Sequence, residues 1–460
     1  MAPSFLIFVI ALVGTYGGFV LQIPSYGWIL AALSGLLGLF NLPRTLRAFA
    51  LILGIGGLCG FQSQHRRIEF EDRLSRLPKQ YERIDGIVEE VFDTLEDGRR
   101  IWFRSDRGYR LQVSLREGAA LKPVFVGDRL ALWGVVHPPQ HALAPGDLDG
   151  YWFALARHLD GYLRVSNPFK VQVLQTHAEA NFWSQQRQKL RNRIQEAGNP
   201  RYAAVLLALM IGDTALFSNE QKQIYQRVGA GHLLAVSGLQ VSGLSFLFFV
   251  ILRGILLLIP AIGRRSWASC PAAIFSLSAI WSFVLLSGCS ASTVRAALMS
   301  SSLLVGLLGE RSVSLWDAFG LAGWISVFLW PESVLDPSFT LSYLAIYGIL
   351  VGGMLGAGVM TLPLSAYYFG ALAIGGIVAN WILVPVALFL QTPAILLALL
   401  GFVSSAAMFA GMIEALCEGL GDYLGGYWYL EAPAPWQVVG SLLGISLFFM
   451  AGDPGKHTNS

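Results

Sequence analysis

The stretch His232-Leu-Leu-Ala-Val-Ser-Gly-Leu-Gln-Val-Ser-Gly243 opens an apolar run that continues to Pro260. This run is longer than the ~20 residues that a membrane-spanning helix requires. The steps Ser237-Gly238 and Ser242-Gly243 place small residues at a regular spacing. Small residues allow either close helix packing or a local unwinding that lines a polar cavity. We therefore assign the run to a membrane domain and keep both alternatives, a broken helix and ordinary packing, open.

The composition of the whole chain indicates a bilayer as its main solvent. Of the 460 residues, 54% are hydrophobic and 13% are charged, whereas soluble domains carry roughly 25% charge. The net charge of +3 gives no global basic excess of the kind that indicates nucleic-acid binding. The four cysteines lie in or beside apolar segments without the short spacing of zinc ligands, so we predict neither a disulfide framework nor a structural metal.

Apolar segments lie on both sides of a charged region. Those near 4–21, 27–42 and 45–61 predict a three-helix membrane anchor over residues 1–61. The first segment has neither a basic n-region nor a following cleavage site, so we interpret it as a retained helix and not as a signal peptide. A multi-helix domain is predicted over residues 231–451, with a disordered tail at 452–460. Its apolar segments lie near 232–259, 267–287, 292–309, 316–330, 338–357, 370–390, 393–416 and 436–451.

The charged region between these groups predicts a water-exposed domain. Residues 62–200 contain 21 of the 32 Lys and Arg residues and 18 of the 29 Asp and Glu residues. We assign residues 62–180 to a small β-barrel and residues 181–230 to an amphipathic connector that begins with a polar surface helix over 181–196. Alternation and turn signals of the kind found in small barrels predict strands at 83–91, 100–103, 109–115 and 128–136.

The predicted fold is a polytopic α-helical membrane protein with an inserted small β-barrel domain. Basic residues of short loops stay on the cytoplasmic side of a membrane. Arg44, Arg264-Arg265 and Arg311 lie in predicted short loops of the same side, whereas the turn on the opposite side carries Glu332 and Asp336. The basic loop at Arg44, before the barrel domain, and the loops after that domain both predict that the barrel domain is extracytoplasmic.

Polar side chains within the predicted spans are candidate functional groups, because burying them in hydrocarbon is costly. His232 stands at the start of a span, where a functional role and a simple interfacial position are equally consistent with its location. Arg295 stands among small and apolar residues, so it needs water, an acid, backbone carbonyls or a phosphate as its partner. The other polar candidates for a pore are Asp213, Asp336, Asn380 and Gln391, of which the two aspartates are also candidate helix caps.

Motifs for catalysis are weak. Ser237 lies outside a G-x-S-x-G elbow, and its spacing from His232 is no triad signal, so an intramembrane hydrolase is the least favoured hypothesis. The segment His137-Pro-Pro-Gln-His141 has a metal-like spacing, but its two prolines disfavour presentation on a helix. The sequence contains no G-x-x-x-x-G-K-[ST] phosphate-binding motif. We predict no enzymatic activity, no cofactor and no metal site.

Five stretches, in this order, carry a resemblance to a known family: Leu209-Met-Ile-Gly-Asp213, Gly231-His-Leu-Leu-Ala-Val-Ser-Gly-Leu239, Ser292-Thr-Val-Arg-Ala-Ala-Leu-Met299, Asp336-Pro-Ser-Phe-Thr-Leu-Ser-Tyr-Leu-Ala345 and Ala379-Asn-Trp-Ile-Leu-Val-Pro385. They resemble the ComEC family of competence proteins, inner-membrane channels that pass a single DNA strand into bacteria during transformation. Residues 62–180 resemble the family's extracytoplasmic OB-type module, including the stretch Pro145-Gly-Asp-Leu-Asp-Gly-Tyr-Trp152. The resemblance extends to about Leu400.

The resemblance implies a bacterial inner-membrane channel for single-stranded DNA. The implied pore or translocation residues are His232, Ser237, Gly238, Gln240, Gly243, Arg295, Asp213, Asp336 and Asn380. At position 240 the family usually has a second histidine, and Gln240 keeps hydrogen-bonding capacity but loses any protonation role. The chain reaches Ser460 without the family's metallo-β-lactamase-like domain, so we expect any nuclease activity to come from a separate polypeptide.

A DNA-binding face is predicted on the barrel domain, because aromatic rings stack on bases and arginines contact phosphates. Its residues are Arg99, Arg100, Arg104, Arg107, Trp102 and Tyr109, although the aromatic ones are equally candidates for the barrel core. The expected partners are single-stranded DNA, the lipid bilayer, a cytoplasmic motor ATPase, DNA-receptor proteins, a separate nuclease and further copies of the chain. The alternative is a repurposed or degenerate relative that transports another solute or has a structural role.

Overall fold

The structure is a computed structural model. It describes residues 3–21, 28–29, 31–32, 44–94, 98–116, 124–142, 149–165, 167, 170–176, 182–196, 199–214, 216–234, 236, 238–259, 268–309, 312–426, 428–430 and 432–451. Four predictions lie wholly or mostly outside these residues. They concern Ser237, the side chain of Arg99, the helix at 27–42 and the tail at 452–460.

The two long helices of the anchor run parallel to each other in backbone contact. Helix α1 is Pro3–Val20 and helix α2 is Arg44–Ser75. A Cβ atom on Gly14 would overlap the carbonyl oxygen of Gly56, and one on Gly18 would overlap that of Gly60. Small residues in this spacing let helix backbones approach closely. Because both pairs advance in the same direction along the chain, α1 and α2 run in the same direction.

Helix α2 continues from the anchor into the charged domain without a break. It ends at Ser75, well beyond residue 61, where we predict the anchor to end. Its charged end is fixed to the sheet, since Arg73 Nε lies 2.8 Å from a carboxylate oxygen of Asp160. The hydroxyl of Tyr109 also donates a 2.6 Å hydrogen bond to the carbonyl of Arg76 just after the helix. One continuous helix therefore connects the anchor to the charged domain.

The four predicted strands of the charged domain are confirmed, and three more join them. The strands are β1 (Glu82–Thr94), β2 (Gly98–Ser105), β3 (Arg110–Arg116), β4 (Arg129–Gly134), β5 (Val136–His137), β6 (Gly161–Val165) and β7 (Val171–Gln175). Alternate residues of the strands, such as Ile101, Phe103, Leu111 and Val113, are fully buried in one apolar cluster. This period of two is the pattern that predicts the strands.

The seven strands form one curled sheet in the order β5-β6-β3-β2-β1-β4-β7. Neighbouring strands are antiparallel except for β3 and β6, which are parallel. Strand β5 follows β4 after the single residue Val135, yet β4 pairs with β1 whereas β5 pairs with β6 on the other side of the sheet. The sheet therefore curls into a half-barrel around its apolar cluster.

Twelve further helices follow in the described part of the chain. They are α3 (Gly150–Ala156), α4 (Phe182–Glu196), α5 (Pro200–Ile211), α6 (Asn219–Arg227), α7 (Gly238–Leu257), α8 (Ser269–Leu286), α9 (Ala291–Leu308), α10 (Leu315–Leu329), α11 (Pro337–Phe369), α12 (Gly375–Leu399), α13 (Val403–Leu424) and α14 (Pro435–Ala451). Within the described residues, five of them, α7, α8, α11, α12 and α13, are long and apolar enough to cross a membrane. The chain is therefore a multi-pass membrane protein.

Two predicted helix boundaries near the end of the membrane domain are wrong. We predict a break between residues 390 and 393, but α12 continues through Pro385 and Pro393. Prolines are tolerated inside membrane helices because neighbouring groups satisfy the freed carbonyls. The break lies instead between Leu399 and Val403, where Gly401 adopts a positive φ of 91°.

Helix α11 is a hairpin of two antiparallel arms, which the hydropathy pattern does not reveal. The backbone leaves helical geometry at Gly352 and Gly353, where Gly353 has a φ of 61°. A Cβ atom on Gly348 would overlap the backbone of Gly356, which places the two arms in direct contact. Each arm, at 337–351 and 354–369, is about 22–24 Å long at 1.5 Å per residue. Each arm alone is therefore shorter than the ~30 Å of a bilayer core, and α11 meets the length criterion for a crossing only when its two arms are counted together.

Candidate functional site

Arg295 is the largest buried charged side chain of the membrane domain. It lies in the second turn of α9, which begins after the cap residue Ser290, and it is only 1% exposed. One guanidinium nitrogen, Nη2, donates to the hydroxyl of Ser342, and the guanidinium carbon lies 5.0 Å from the ring centre of Tyr343. Both partners belong to the first arm of α11, so two elements that are distant in sequence position this cation.

The guanidinium of Arg295 keeps free hydrogen-bonding capacity. Its Nε and Nη1 atoms are buried and have no hydrogen-bond partner among the described residues. Arginine cannot lose its proton in ordinary conditions, and it offers five N–H donors in a planar fork. A buried cation without a carboxylate partner is strongly unfavourable. An anion with two acceptor oxygens matches this arrangement chemically.

The starts of three helices converge on Arg295. A Cβ atom on Gly238, the first residue of α7, would lie 3.6 Å from Nη2 of Arg295, so a larger residue would crowd the guanidinium. The hydroxyl of Ser292, in the first turn of α9, donates a 2.9 Å hydrogen bond to the carbonyl of Val236, just before α7. Ser342 lies near the start of α11. Helix N-termini carry partial positive charge, so the N-terminus of α7 adds to the charge of Arg295 instead of neutralising it, whereas the N-terminus of α11 is capped by the carboxylate of Asp336.

The remaining residues of the predicted signature are dispersed. His232 lies in the exposed 3-10 turn Gly231–Leu233, where its Nδ1 is 3.3 Å from the carbonyl oxygen of Gly229. Gln240 is fully buried in α7. A Cβ atom on Gly243 would lie 3.2 Å from the hydroxyl oxygen of Thr392, which places this part of α7 against α12. The apolar run that opens at His232 is thus divided into a turn and a helix.

Two amides of α12 lie inside the same domain. Asn380 is half-buried, and its Oδ1 has no hydrogen-bond partner among the described residues. Gln391 is fully buried, and both of its amide atoms are likewise without a partner in the described part of the chain. Buried polar groups are usually hydrogen-bonded. These amides are therefore available to water or a solute along α12.

The two predicted aspartates contact arginines at the junction between the sheet and the membrane helices. Asp213, just after α5, accepts from Arg191 of α4, and Arg191 also donates a 2.9 Å hydrogen bond to the carbonyl of Val91 in β1. Asp336 caps α11 through a 2.8 Å bond from the backbone N–H of Ser338. Its other oxygen lies 3.3 Å from Nε of Arg157, beside α3. Both aspartates thus help to fix the sheet domain to the membrane domain.

Two of the four arginines of the predicted DNA-binding face, Arg104 and Arg107, are already paired with acids. Arg104 contacts Glu89, and Nε of Arg110 lies 2.6 Å from the other oxygen of the same carboxylate. Arg107 Nη1 lies 2.8 Å from Glu82. Arg100, in contrast, is exposed and forms no ion pair within the described residues. The positive charge available for phosphate on this face is therefore smaller than the arginine count indicates.

The two aromatic residues of the same predicted face are also engaged. Trp102 is half-buried, and the guanidinium of Arg110 lies 4.5 Å from its ring centre. It packs against the same apolar cluster as Phe70 of α2 and Leu155 of α3. The hydroxyl of Tyr109 is bonded to the backbone after α2. This face of the sheet is therefore turned partly towards the anchor and α3.

The candidate metal ligand His141 has another role in the structure. Its Nδ1 lies 3.0 Å from Asp149, whose carboxylate also accepts hydrogen bonds from the backbone N–H groups of Tyr151 and Trp152 at the start of α3. Burial raises the pKa of Asp149, but the hydrogen bonds from His141 and the backbone outweigh burial, so its pKa lies below the ordinary value. Asp149 is a structural cap of α3.

A comparison with known families shows which family the chain belongs to. The family described as Competence protein matches residues 209–354 and 353–454, which together make up more than half of the chain. The chain belongs to this family of competence proteins. The predicted family resemblance is thus confirmed, and the matched residues include Arg295 and the hairpin α11.

Two relatives show how far the similarity extends. ComE operon protein 3 of Bacillus subtilis is 26% identical over 298 residues, which cover 60% of this chain and 36% of that protein. Recombination protein 2 of Haemophilus influenzae is 26% identical over 254 residues, which cover 47% of this chain and 30% of that protein. The chain thus spans about a third of the length of these relatives. No solved structure matches it.

Several residues of the competence protein's candidate site are absent from the predicted set. Ser342 and Tyr343 lie in a stretch that carries the family resemblance, but their sequence pattern shows no link to Arg295. Arg157 and Arg191 stand among many charged residues, and only the fold shows which of those residues meet the membrane domain. The one sequence signal that could have indicated such partners is the turn after α10. It carries acids and no base, and carboxylates in such a place need basic partners from elsewhere in the chain.

Proposed function

We propose that this competence protein is an inner-membrane channel subunit for the uptake of single-stranded DNA during natural transformation. Family membership supports the biological process, and the site at Arg295 supports the chemistry. The observation that carries the proposal is a buried arginine, near the starts of α7, α9 and α11, whose Nε and Nη1 have no hydrogen-bond partner among the described residues. We expect no enzymatic activity from this arrangement. The protein positions and neutralises phosphates as the strand passes.

The DNA backbone would provide acceptors for Nε and Nη1 of Arg295, which have none among the described residues. A phosphodiester carries one negative charge and two non-bridging oxygens, which suit the paired N–H groups of a guanidinium. The helix N-termini add a second, fixed attraction for an anion. Because neither group reads base identity, contacts of this kind are independent of sequence. This property suits a channel that accepts any DNA.

We infer that the curled sheet is an OB-like domain on the extracytoplasmic side of the membrane. In favour of this fold, β1, β2 and β3 form an antiparallel meander, and β3 is parallel to β6. In favour of this orientation, the sheet domain contacts the acidic turn after α10 through Arg157–Asp336 and through a 2.9 Å His158–Glu332 pair. That turn contains acids and no base, as loops on the extracytoplasmic side often do.

The channel would act with other proteins. We expect a cytoplasmic motor ATPase to supply the work of transport, and DNA-receptor proteins to deliver the strand. A separate nuclease would remove the second strand. Within this scheme His232, Ser237, Gln240, Gly243 and Asn380 are proposed to line other parts of the same route. The exposed Arg100 is proposed as the phosphate contact of the sheet domain, while Arg99, Arg104, Arg107, Trp102 and Tyr109 stay proposed members of the same face.

Deletion of the gene in a transformable host tests the proposal, with the entry of labelled DNA into the cytoplasm as the readout. Complementation with the wild-type gene should restore entry, and Arg295→Ala should not. Arg253→Ala is the matched control, because Arg253 is exposed on α7 and its only hydrogen bond among the described residues is a 3.1 Å bond from Nε to the hydroxyl of Ser269. Both variants must reach the wild-type amount in the membrane.

Normal DNA entry in the deletion strain would contradict the proposal and favour the alternative function. That alternative is a family relative that transports another solute or has a structural role. The specific observation in its favour is Gln240, a fully buried amide at the position where family members usually have a histidine. Restoration of entry by Arg295→Ala would instead remove Arg295 from the site.

A further inference from the structure

The two ends of helix α11 lie close together, beside the sheet domain. At its start, the carboxylate of Asp336 caps the helix and lies 3.3 Å from Nε of Arg157 in the sheet domain. Near its end, the side chain of Tyr368 is hydrogen-bonded to that of Thr340, one turn after the start. In a straight helix, Thr340 and Tyr368 would be about 42 Å apart at 1.5 Å per residue. The chain therefore returns to the level at which it enters the membrane domain.

Helix α1 gives a second indication of this level. Its end contacts the sheet domain, because the ring of Phe19 packs edge-on against that of Trp152 in α3, with ring centres 6.4 Å apart. The carbonyl of Phe19 also accepts a 2.7 Å hydrogen bond from Arg67 in the charged half of α2. One turn earlier on α1, Tyr16 interacts electrostatically with Tyr368. The end of α11 thus lies beside the end of α1, on the side of the sheet domain.

The tip of the hairpin lies deep in the membrane domain. The two arms reverse at Gly352 and Gly353, and they touch each other at Gly348 and Gly356. A Cβ atom on Gly352 would overlap the ring of Phe449, near the end of α14. Each arm is about 22–24 Å long, and Phe449 lies about 21 Å along α14. Both lengths place the tip inside a hydrocarbon core of ~30 Å and short of its far boundary.

The backbone at the tip needs a polar environment. Leaving helical geometry frees the last carbonyls of the first arm and the first N–H groups of the second arm. Irregular backbone occurs at this depth only where it is buried in protein or lines a water-filled cavity, because lipid offers no hydrogen bonds. Gly353 is exposed, and a Cβ atom on it would meet nothing within 4 Å among the described residues. Water is therefore the environment that satisfies this backbone.

We propose that α11 is a re-entrant hairpin, which enters the membrane from the side of the sheet domain, returns to that side, and lines a water-filled cavity with its glycine tip. Ser342 and Tyr343, the neighbours of Arg295, lie on the first arm between the sheet domain and the tip. The hairpin thus extends the polar environment of Arg295 about 15 Å deeper into the membrane domain. The proposal concerns topology and hydration, and it does not depend on DNA transport.

A re-entrant hairpin reverses the sidedness of the segments that follow it. If α11 crossed the membrane once, the turn at Gly401 between α12 and α13 would lie on the side of the sheet domain, and the end of α13 would lie on the opposite side. With a re-entrant α11, the turn at Gly401 lies on the opposite side and the end of α13 returns to the side of the sheet domain. The two topologies therefore differ at positions far from the hairpin.

Cysteine labelling of the full-length protein tests the topology. After the four native cysteines are replaced by serine, Arg100→Cys marks the sheet domain, and each test variant carries one other new cysteine. A membrane-impermeant maleimide should label Tyr423→Cys, at the end of α13 and 90% exposed, in the vesicles in which it labels Arg100→Cys. Phe402→Cys, beside Gly401 and 60% exposed, should be labelled only in vesicles of the opposite orientation. The reverse pattern would overturn the re-entrant hairpin.

Reactivity next to the tip tests the cavity. A charged methanethiosulfonate reagent needs water and a thiolate, so it should modify Met354→Cys at least about 10-fold faster than Phe389→Cys. Phe389 is the matched control, because it is 77% exposed on an apolar helix and lies about 21 Å along α12, a depth similar to that of the tip. Equal rates would mean that lipid or a second copy of the chain covers the tip, and they would overturn the cavity.

An epitope insertion keeps the topology testable if the cysteine-free protein does not reach the membrane. A short epitope after Gly426 of the otherwise unaltered chain should be bound by antibody from the side that carries the sheet domain. A Cβ atom on Gly426 would meet nothing within 4 Å among the described residues, so this position has room for an insertion. Binding from the opposite side would contradict the proposal. None of these readouts uses DNA, so they stay valid if the channel proposal fails.

Discussion

The arginines of the sheet and the arginine of the membrane site differ in ion pairing. The difference is the opposite of what the cost of burying an unpaired charge would lead one to expect. On the sheet, where water would screen an isolated charge, Arg104, Arg107 and Arg110 all have carboxylate partners. In the membrane domain, where an isolated charge is most costly, Arg295 has a serine and a tyrosine ring as its described neighbours. Among these four arginines, pairing is therefore found where it is least needed for stability.

This difference indicates that charged residues contribute differently to stability and to function in the two regions. An exposed ion pair contributes about 0–1 kcal/mol, so the pairs on the sheet tune its charge more than they stabilise it. A buried cation without a counter-ion destabilises the fold, and such groups persist mainly at functional sites. We therefore expect substitutions on the sheet to have small, graded effects and substitutions at Arg295 to separate stability from activity.

The largest expected effect is that of Arg295→Met. Methionine has a similar length and no charge, so the variant should lose at least 10-fold in DNA entry while its unfolding free energy rises by about 1–4 kcal/mol. Thermal unfolding in detergent and uptake of labelled DNA measure the two quantities. A variant that loses both stability and uptake would show that Arg295 is a structural residue.

The second effect concerns the packing of the anchor. Gly14→Ala should destabilise the protein by about 1–3 kcal/mol, because the new methyl group would overlap the backbone of Gly56, which cannot move aside without shifting a helix. Gly440→Ala is the control, since a Cβ atom there meets nothing within 4 Å. Thermal unfolding of the two variants should differ clearly. Equal unfolding temperatures would contradict the close contact between α1 and α2.

The third effect concerns the charge of the sheet. Glu89→Gln removes the partner of both Arg104 and Arg110, so the affinity of the full-length protein for single-stranded DNA should rise a few-fold. Since a tenfold change in affinity corresponds to about 1.4 kcal/mol, the expected gain in binding free energy is about 1 kcal/mol. The rise should be greatest at low salt. The control Glu69→Gln changes the net charge equally at a carboxylate that pairs with His65 and Arg66 of α2 and not with an arginine of the sheet. If both variants bind alike, the sheet face is not the DNA contact.

The smallest effect is a pH dependence at the cap of α3. Asp149 has a lowered pKa in the folded protein, so its contribution to stability is present above the ordinary carboxyl pKa and is lost as the pH falls through the lowered value. Asp149→Asn should keep the cap and remove this pH dependence, whereas Asp149→Ala should cost about 1 kcal/mol at neutral pH. Thermal unfolding as a function of pH measures both. An unchanged acid limb in Asp149→Asn would contradict this role.

Local patterns predicted much of the fold correctly. The strands followed from alternation, since one face of the sheet is buried, and the single apolar helices α9, α10 and α14 followed from runs of hydrophobic residues between turn residues. The polar half of α2 escaped prediction because its charges resemble those of a soluble domain, although its residues favour a helix. The end of α12 was missed because Gln391 and Pro393 resemble a loop.

The candidate site was predicted only in part. Arg295 stands out in the sequence as a charge in an apolar segment, and Gly238 belongs to the stretch that carries the family resemblance. Their proximity depends on the contact between α7 and α9. The partners Ser342 and Tyr343 depend on the hairpin α11, whose two arms have the same hydropathy. Hydropathy measures only the transfer of residues from water to lipid. It therefore cannot show that the chain reverses direction at Gly352-Gly353.

The sequence by itself determined the solvent, the two apolar regions, the strand pattern of the charged domain and the family, because these depend on composition and on local order along the chain. Only the tertiary structure decided which charges are paired. It placed carboxylates beside the arginines of the sheet and joined Glu414 to Arg201, while Nε and Nη1 of Arg295 have no partner within the described part of the chain. Pairing is a contact between residues that are far apart in sequence, and its energy depends on burial. Contacts between residues far apart in sequence, and the burial of those residues, exist only in the folded chain.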